Sequence, residues 1–276
     1  MESFRNSLYN VIDITEWAEL FWRVMNEYLK NLSKIEFVVT DLCTGRCKHC
    51  SQGDHRDGGA KIDPHTAALA VRKIAARYKI NTVLAFGGEP LLHTDAVFAI
   101  MNAARESNIQ RRQIITNGCF SQDAGYMREV AQQLSECGVN DLLLSVDAFH
   151  EETLPIDTVK TFAVELKNAR VPTRLQPAWL VNRDDQNPYN LKTRLLLDSF
   201  SDIDISQSEG NIVFSEGNAA KFLAEYFAKT APENPYIEDE YDLRCISFSA
   251  NGDVLGENVY RSDIMEIIKN YAPQGC

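Results

Sequence analysis

Three cysteines, Cys43, Cys47 and Cys50, stand in the spacing Cys-x3-Cys-x2-Cys inside the run VTDLCTGRCKHCSQG. Thiolates this close along a chain can converge on one metal centre, and soft sulfur ligands select zinc, copper(I) or iron-sulfur clusters. Ligand number separates these choices. A structural zinc ion wants four closed ligands, whereas only three thiols crowd here, and His49 is badly placed to reach the same ion because it adjoins Cys50. Three thiolates on a cubane of four irons leave one iron open to a substrate or cofactor. The chain has 7 cysteines, an odd number, and the crowding of three of them suits metal ligation in a reducing compartment better than a disulfide framework.

Such a loop needs a scaffold, and the pattern around it supplies one. From residue 35 short β-branched runs alternate with longer amphipathic stretches, the pattern of repeated βα units and a parallel sheet. Strands are predicted near Ile35 to Asp41, Thr82 to Phe86, Gln113 to Thr116, Leu142 to Asp147, Arg174 to Leu180 and Ile203 to Ser206. The intervening helices are predicted near Pro64 to Tyr78, Asp95 to Ser107, Asp123 to Cys137, Ile156 to Asn168, Leu191 to Phe200 and Ala219 to Ala228. Pro64 after Asp63 is a good helix start, since proline at the first helical position gives up a donor that would have no partner. The expected fold class is α/β, a partial (β/α)6 TIM-like barrel with functional groups on the loops after its strands.

Two extensions flank that core. Residues 1–33 are expected to add a helix whose apolar face carries Trp17, Leu20, Phe21, Val24, Tyr28 and Leu29. Residues 34–228 form the core, and 229–276 a linker and tail. The linker KTAPENPYIEDEYD is broken by prolines and acids. The tail LRCISFSANGDVLGENVY suggests a hairpin turning at Asn251-Gly252, followed by a short helix.

With the cysteines, three further motifs resemble the radical S-adenosylmethionine (radical SAM) superfamily. The second predicted strand ends in AFGGEPLLH, which matches the family's GGEP motif at Gly87, Gly88, Glu89 and Pro90; the third ends in ITNG at Thr116, Asn117 and Gly118; the fourth ends in SVDAFH. That last run is similar to a serine-x-aspartate seen in peptide- and protein-modifying maturases, which makes this group the closest in appearance, here with a truncated C-terminal tail. The resemblance implies a [4Fe-4S] cluster on Cys43, Cys47 and Cys50, with the open iron chelating the amino and carboxylate groups of S-adenosylmethionine. It implies reductive cleavage of that molecule to a 5′-deoxyadenosyl radical that abstracts hydrogen from a substrate, so the cofactor performs the hard step. Gly87, Gly88 and Glu89 would bind the amino acid end of S-adenosylmethionine, Ser145 and Asp147 its ribose, with Asn117 and Gln176 as further cofactor contacts. His49 stands where many members carry an aromatic residue before the third cysteine. His150 and His55 read as surface loop residues, and Cys119 and Cys137 as packed thiols.

The substrate class favoured by the resemblance is a peptide or protein, and an electron donor such as flavodoxin or ferredoxin is implied. A glycyl-radical-enzyme activase is the alternative within the superfamily. A non-catalytic zinc-binding scaffold is the alternative outside it. Composition sets the outer bounds. With 28 basic and 39 acidic residues, a net charge of −11, the 276-residue chain would repel a phosphate backbone and an anionic membrane. No run approaches the ~20 apolar residues of a membrane helix, and MESFRNSLYNVIDITEW has no signal-peptide pattern. A cytoplasmic enzyme with no membrane partner is expected.

Overall fold

The computed structural model describes residues 25–54, 59–227 and 232–273. Trp17, Leu20, Phe21 and Val24 of the expected N-terminal helix, and also His55 and Cys276, lie outside these residues; Tyr28 and Leu29 fall in a short 3-10 turn, Glu27–Leu29.

The strands are β1 (Lys34–Val38), β2 (Thr82–Phe86), β3 (Arg111–Thr116), β4 (Asp141–Ser145), β5 (Thr173–Gln176), β6 (Ala178–Trp179), β7 (Ser206–Gln207), β8 (Asn211–Ile212), β9 (Cys245–Phe248), β10 (Asp253–Val254) and β11 (Glu257–Asn258). Seven of them form one sheet in the order β7-β5-β4-β3-β2-β1-β9, parallel at every pairing. The strongly apolar runs TVLAF and DLLLS are central in that order, as strands covered on both faces must be. Among the described residues β7 and β9 end the order without pairing to each other, so the barrel is partial.

Helices α1 (Pro64–Ala75), α2 (Thr94–Glu106), α3 (Ala124–Glu136), α4 (Ala148–Glu151), α5 (Ile156–Asn168), α6 (Pro188–Asp198), α7 (Gly217–Phe222) and α8 (Ile264–Asn270) follow the strands as crossovers or close the chain. Asp63 caps α1 by accepting the Thr66 amide, and Pro64 takes the first helical position, as the sequence predicts. The apolar stripe of α1, Ala67, Val71 and Ile74, is fully buried against the sheet and α2. On β1 the alternation is plain: Ile35 and Phe37 are buried toward the helices, while Lys34 and Glu36 turn to the barrel interior, where they pair with each other.

Several elements differ from expectation: the strand expected at Ile203 to Ser206 is reduced to β7, and the helix expected at Ala219 to Ala228 is α7 followed by a 3-10 turn at Ala224–Phe227. The run Arg174 to Leu180 is divided at Pro177, which has no amide to give a ladder; β5 ends before it, and β6 leaves the main sheet to pair with β8. In the tail, the first half of the expected hairpin is β9, which adds to the sheet alongside β1 with Phe248 stacked on Phe37 at 4.7 Å. The chain still reverses at Asn251-Gly252, but the antiparallel pair forms one turn later, β10 against β11 around Leu255-Gly256. Burying the Phe248 ring against Phe37 outweighs a local hairpin contact.

Candidate active site

The residues marked for the cluster and cofactor lie at the ends of β1 to β5 or on the loops that follow, the end of a parallel sheet where the strand carbonyls point out. The cysteine loop begins at Thr40, whose buried hydroxyl donates to the Ala60 carbonyl at 2.8 Å and accepts the Leu42 amide at 3.1 Å. The glycine pair after β2 is pressed against this start. Gly88 donates its amide to Thr40 O at 2.8 Å and Glu89 donates to Leu42 O at 2.7 Å. A Cβ on Gly88 would stand 2.0 Å from the Leu42 carbonyl oxygen, and Gly87 holds φ at +137° with Thr40 O where a side chain would be. These positions are glycine because two backbones meet there.

The far half of the loop is held from other elements. Arg46 donates its amide to Thr153 Oγ1 at 3.1 Å, and Asn218 binds Cys50 O through its amide at 2.8 Å and Cys47 O through Nδ2 at 3.2 Å. Cys47 is buried, Cys43 and Cys50 are half-buried, and none is in a disulfide. Burial pushes the Cys43 thiol up to about 11 and also raises Cys50. The three sulfurs lie close enough to feel each other's charge.

Each thiol also has donors aimed at it. Cys43 Sγ accepts from the Gly45 amide at 3.3 Å and from Asn117 Nδ2 at 3.6 Å, Cys50 is hydrogen-bonded by the amides of Gln52 and Gly53, and the His150 ring reaches Cys47. Three convergent sulfurs already surrounded by N–H groups, beside a cavity of about 470 Å³, fit an anionic sulfur-ligated cluster.

Of the other site residues expected from sequence, Gly87, Gly88, Asn117, Ser145, Asp147 and Gln176 all line this cavity. Glu89 does not. Its carboxylate is fully buried beneath the loop, accepting Leu91 N at 3.0 Å, Thr116 Oγ1 at 2.7 Å and Asn117 N at 2.8 Å, and burial pushes it up to about 7. Asp147 is buried too and serves as the cap of α4, accepting the amides of Phe149 and His150 at 3.0 Å each and of Ala178 at 3.2 Å. Gln176 is held by the Ser208 hydroxyl.

His150 differs from its reading as a surface residue. Its Nδ1 lies 2.8 Å from Asp147 Oδ2, and the ring is held over Cys47. Burial opposes a charged imidazole there, but the Asp147 carboxylate outweighs it and holds His150 well above its ordinary value, while the same pairing draws Asp147 down to about 2. The signal was present in SVDAFH: Asp147 and His150 are spaced i, i+3 across a helix start, which places both on one face. His49 packs tilted on Phe149 at 4.8 Å and edge-on to His150 at 4.9 Å, and burial lowers it to about 4.

The family model described as the Radical SAM superfamily matches residues 37–170, a span that holds the cysteine loop, the glycine pair, the ITNG run and SVDAFH. This chain carries a radical SAM domain. Among curated relatives, GTP 3',8-cyclase of Desulforamulus reducens is 26% identical over 136 residues, 47% of this chain and 39% of its own length. GTP 3',8-cyclase of Listeria monocytogenes is 30% identical over 124 residues, 43% of this chain and 34% of its own. The match thus spans less than two fifths of those relatives' length. Among solved structures, Streptococcus suis SuiB bound to precursor peptide SuiA superposes with a TM-score of 0.58 at 12% identity, covering 99% of this chain and 73% of that one. BtrN in complex with AdoMet and 2-DOIA gives 0.51 at 17% identity over 88% and 84%. The radical SAM domain makes the chain an enzyme and sets aside a non-catalytic zinc scaffold. Proteins of this family use a [4Fe-4S] cluster and S-adenosylmethionine, and no helix among the described residues is long and apolar enough to cross a membrane.

Proposed function

We propose that Cys43, Cys47 and Cys50 hold the cluster, that the cavity beside them takes S-adenosylmethionine, and that the substrate is a peptide or protein. The observation that carries the first part is the convergence of three hydrogen-bonded thiols on a cavity lined by Gly87 and Gly88. When bound, the cluster and S-adenosylmethionine together supply a 5′-deoxyadenosyl radical that takes hydrogen from the substrate. The chain's own residues do the rest. The glycine pair sets the height of the cysteine loop, Asn218 and Thr153 fix its far half, and the cavity walls limit access of water. Ser145 and Gln176 supply polar contacts for the cofactor; Glu89 and Asp147 support the walls that carry them.

Two substrate classes have support. The curated relatives point to a nucleoside triphosphate, the SVDAFH resemblance and the likeness to SuiB to a peptide. Electrostatics favours the second. The cavity is lined by Glu36, Asp54, Asp147 and Glu216 against Lys34, Arg46 and His150, and Lys34 already pairs with Glu36. A triphosphate wants a basic, Arg-rich cradle, and this lining has an acidic balance. The test is to incubate reduced, reconstituted enzyme with S-adenosylmethionine and either peptides or GTP, following 5′-deoxyadenosine and substrate mass. Turnover confined to GTP would overturn the peptide reading.

A further inference from the structure

The side-chain amide of Asn117 is oriented by its partners. Oδ1 accepts the backbone amide of Cys119 at 2.8 Å and lies 3.4 Å from Thr44 Oγ1, which leaves Nδ2 as the end that faces Cys43. There it donates to Thr44 Oγ1 at 3.1 Å and to Cys43 Sγ at 3.6 Å. The residue is 5% exposed, and its own amide is fixed by Glu89. Both ends of this amide are therefore engaged by the protein.

We propose that Asn117 is a positioning residue for the metal centre: a side-chain donor to the sulfur of Cys43 that raises the reduction potential of the cluster. This rests on the reading of Cys43, Cys47 and Cys50 as ligands. The physical argument is general. An N–H donated to a ligand sulfur draws off electron density and stabilises the more negative, reduced state, so the potential rises with each such bond. Cys43 receives two, one from the Gly45 backbone that every side-chain substitution leaves in place, and one from Asn117 that substitution removes. The second is the adjustable one. Its donor is carried by the loop after β3, and Glu89 ties that loop to the end of β2, so the bond couples the cluster to the frame of the barrel.

The experiment compares the anaerobically reconstituted full chain with Asn117→Asp and Asn117→Ser. Asp keeps the acceptor for Cys119 N and replaces the donor by an oxygen; Ser, one atom shorter, withdraws the amide Nδ2 from Cys43 without adding charge. Iron content should stay at about four per chain, as one cubane requires, while the midpoint potential shifts negative in both variants, further in Asp. In the unsubstituted protein, reduced and free of S-adenosylmethionine, labelling asparagine with 15N should give a nitrogen hyperfine coupling to the cluster that Asn117→Asp abolishes. This measurement stands even where a variant folds poorly. Equal potentials in all three proteins, or no coupling from labelled asparagine, would overturn the proposal; unchanged potential with weakened S-adenosylmethionine affinity would instead assign Asn117 to the cofactor. An unsubstituted chain that takes up no four-iron cluster would remove the ligand reading itself, and the iron count shows that before any potential is measured.

Discussion

Glu89 accepts the backbone amide of Asn117 at 2.8 Å, and so joins the loop after β2 to the loop after β3 through a single buried carboxylate. The other oxygen takes Leu91 N and Thr116 Oγ1. All three partners donate, so the ionised carboxylate can satisfy each of them, while burial opposes its charge.

Glu89→Gln keeps the shape but turns one end into a donor, which then faces another donor whichever way the amide lies. The expected outcome is a loss of about 1–3 kcal/mol, the usual cost of a buried unsatisfied polar pair, read as a lower unfolding midpoint. Cluster loading and S-adenosylmethionine affinity measured on the same variant separate this structural effect from a direct contact with the cofactor: unchanged stability with weakened affinity would show that Glu89 faces the ligand.

The same residue predicts a pH dependence. Burial raises Glu89 from 4.5 to about 7 in the folded chain, so its protonated form favours folding. That contribution is full below 4.5 and is lost as pH rises through 7, by the linkage of proton binding to stability. Urea unfolding of the metal-free chain between pH 5 and pH 8 should show this slope, and Glu89→Leu should flatten it. An identical slope in the variant would place the titration elsewhere.

Asp147 works in the opposite sense. Although burial alone would raise it, His150 draws it from 3.8 to about 2, so its contribution is present above 3.8 and falls away as pH drops through 2. Asp147→Ala should remove the cap of α4, which typically costs about 1 kcal/mol, and release the His150 ring. The histidine signal in an NMR titration checks this: a ring that keeps its raised value in the variant would show that another group holds it.

Gly88→Ala should be more damaging than its size suggests, because the added carbon would meet the Leu42 carbonyl oxygen at 2.0 Å. The cysteine loop has to move to relieve that contact. Iron uptake on reconstitution should fall sharply in Gly88→Ala while circular dichroism shows the sheet and helices retained; full uptake would mean that the loop has slack the geometry does not suggest.

Single alanine substitutions at Cys43, Cys47 or Cys50 should each abolish the cluster, since a site with three protein ligands has none to spare. Cys245→Ala should leave the iron count at about four. Cys245 begins β9 opposite Lys34, at the opposite end of the sheet from the cysteine loop, and Cys137 is buried at the end of α3. A count near eight that halves in the Cys245 variant would reveal a second cluster.

The alternation of strands and helices was legible because the central strands β2 and β4 carry apolar runs and the helices start at punctuation such as Asp63-Pro64, and the chemical motifs sit at the strand ends where a βα scaffold displays them. What spacing could not show is orientation. Glu89 and Asp147 were both read as cofactor contacts; Glu89 stands outside the cavity lining and Asp147 within it, and both carboxylates are engaged by backbone amides, because a buried charge takes the nearest donors in three dimensions. His150 was read as a surface residue because its contact with Cys47 depends on two loops far apart in sequence. The pairing of β9 with β1 was hidden for the same reason: an Asn-Gly pair signals a hairpin locally, and only the Phe37–Phe248 stack decides otherwise.

That strand pairing bears on how the chain comes together. Asn31 Nδ2 meets Asp242 Oδ1 across a separation of 211 residues, and the ladder from Lys34 to Phe37 is completed by the equally distant Cys245 to Phe248. Closing so long a loop carries a large entropic cost before any contact repays it. Until the tail arrives, β1 presents a row of unpaired amides and carbonyls, the kind of exposed template on which chains associate. Cys245–Phe248 thus protects the open edge of β1, and a chain cut short before Cys245 should be prone to aggregation even though every cysteine of the cluster loop is present.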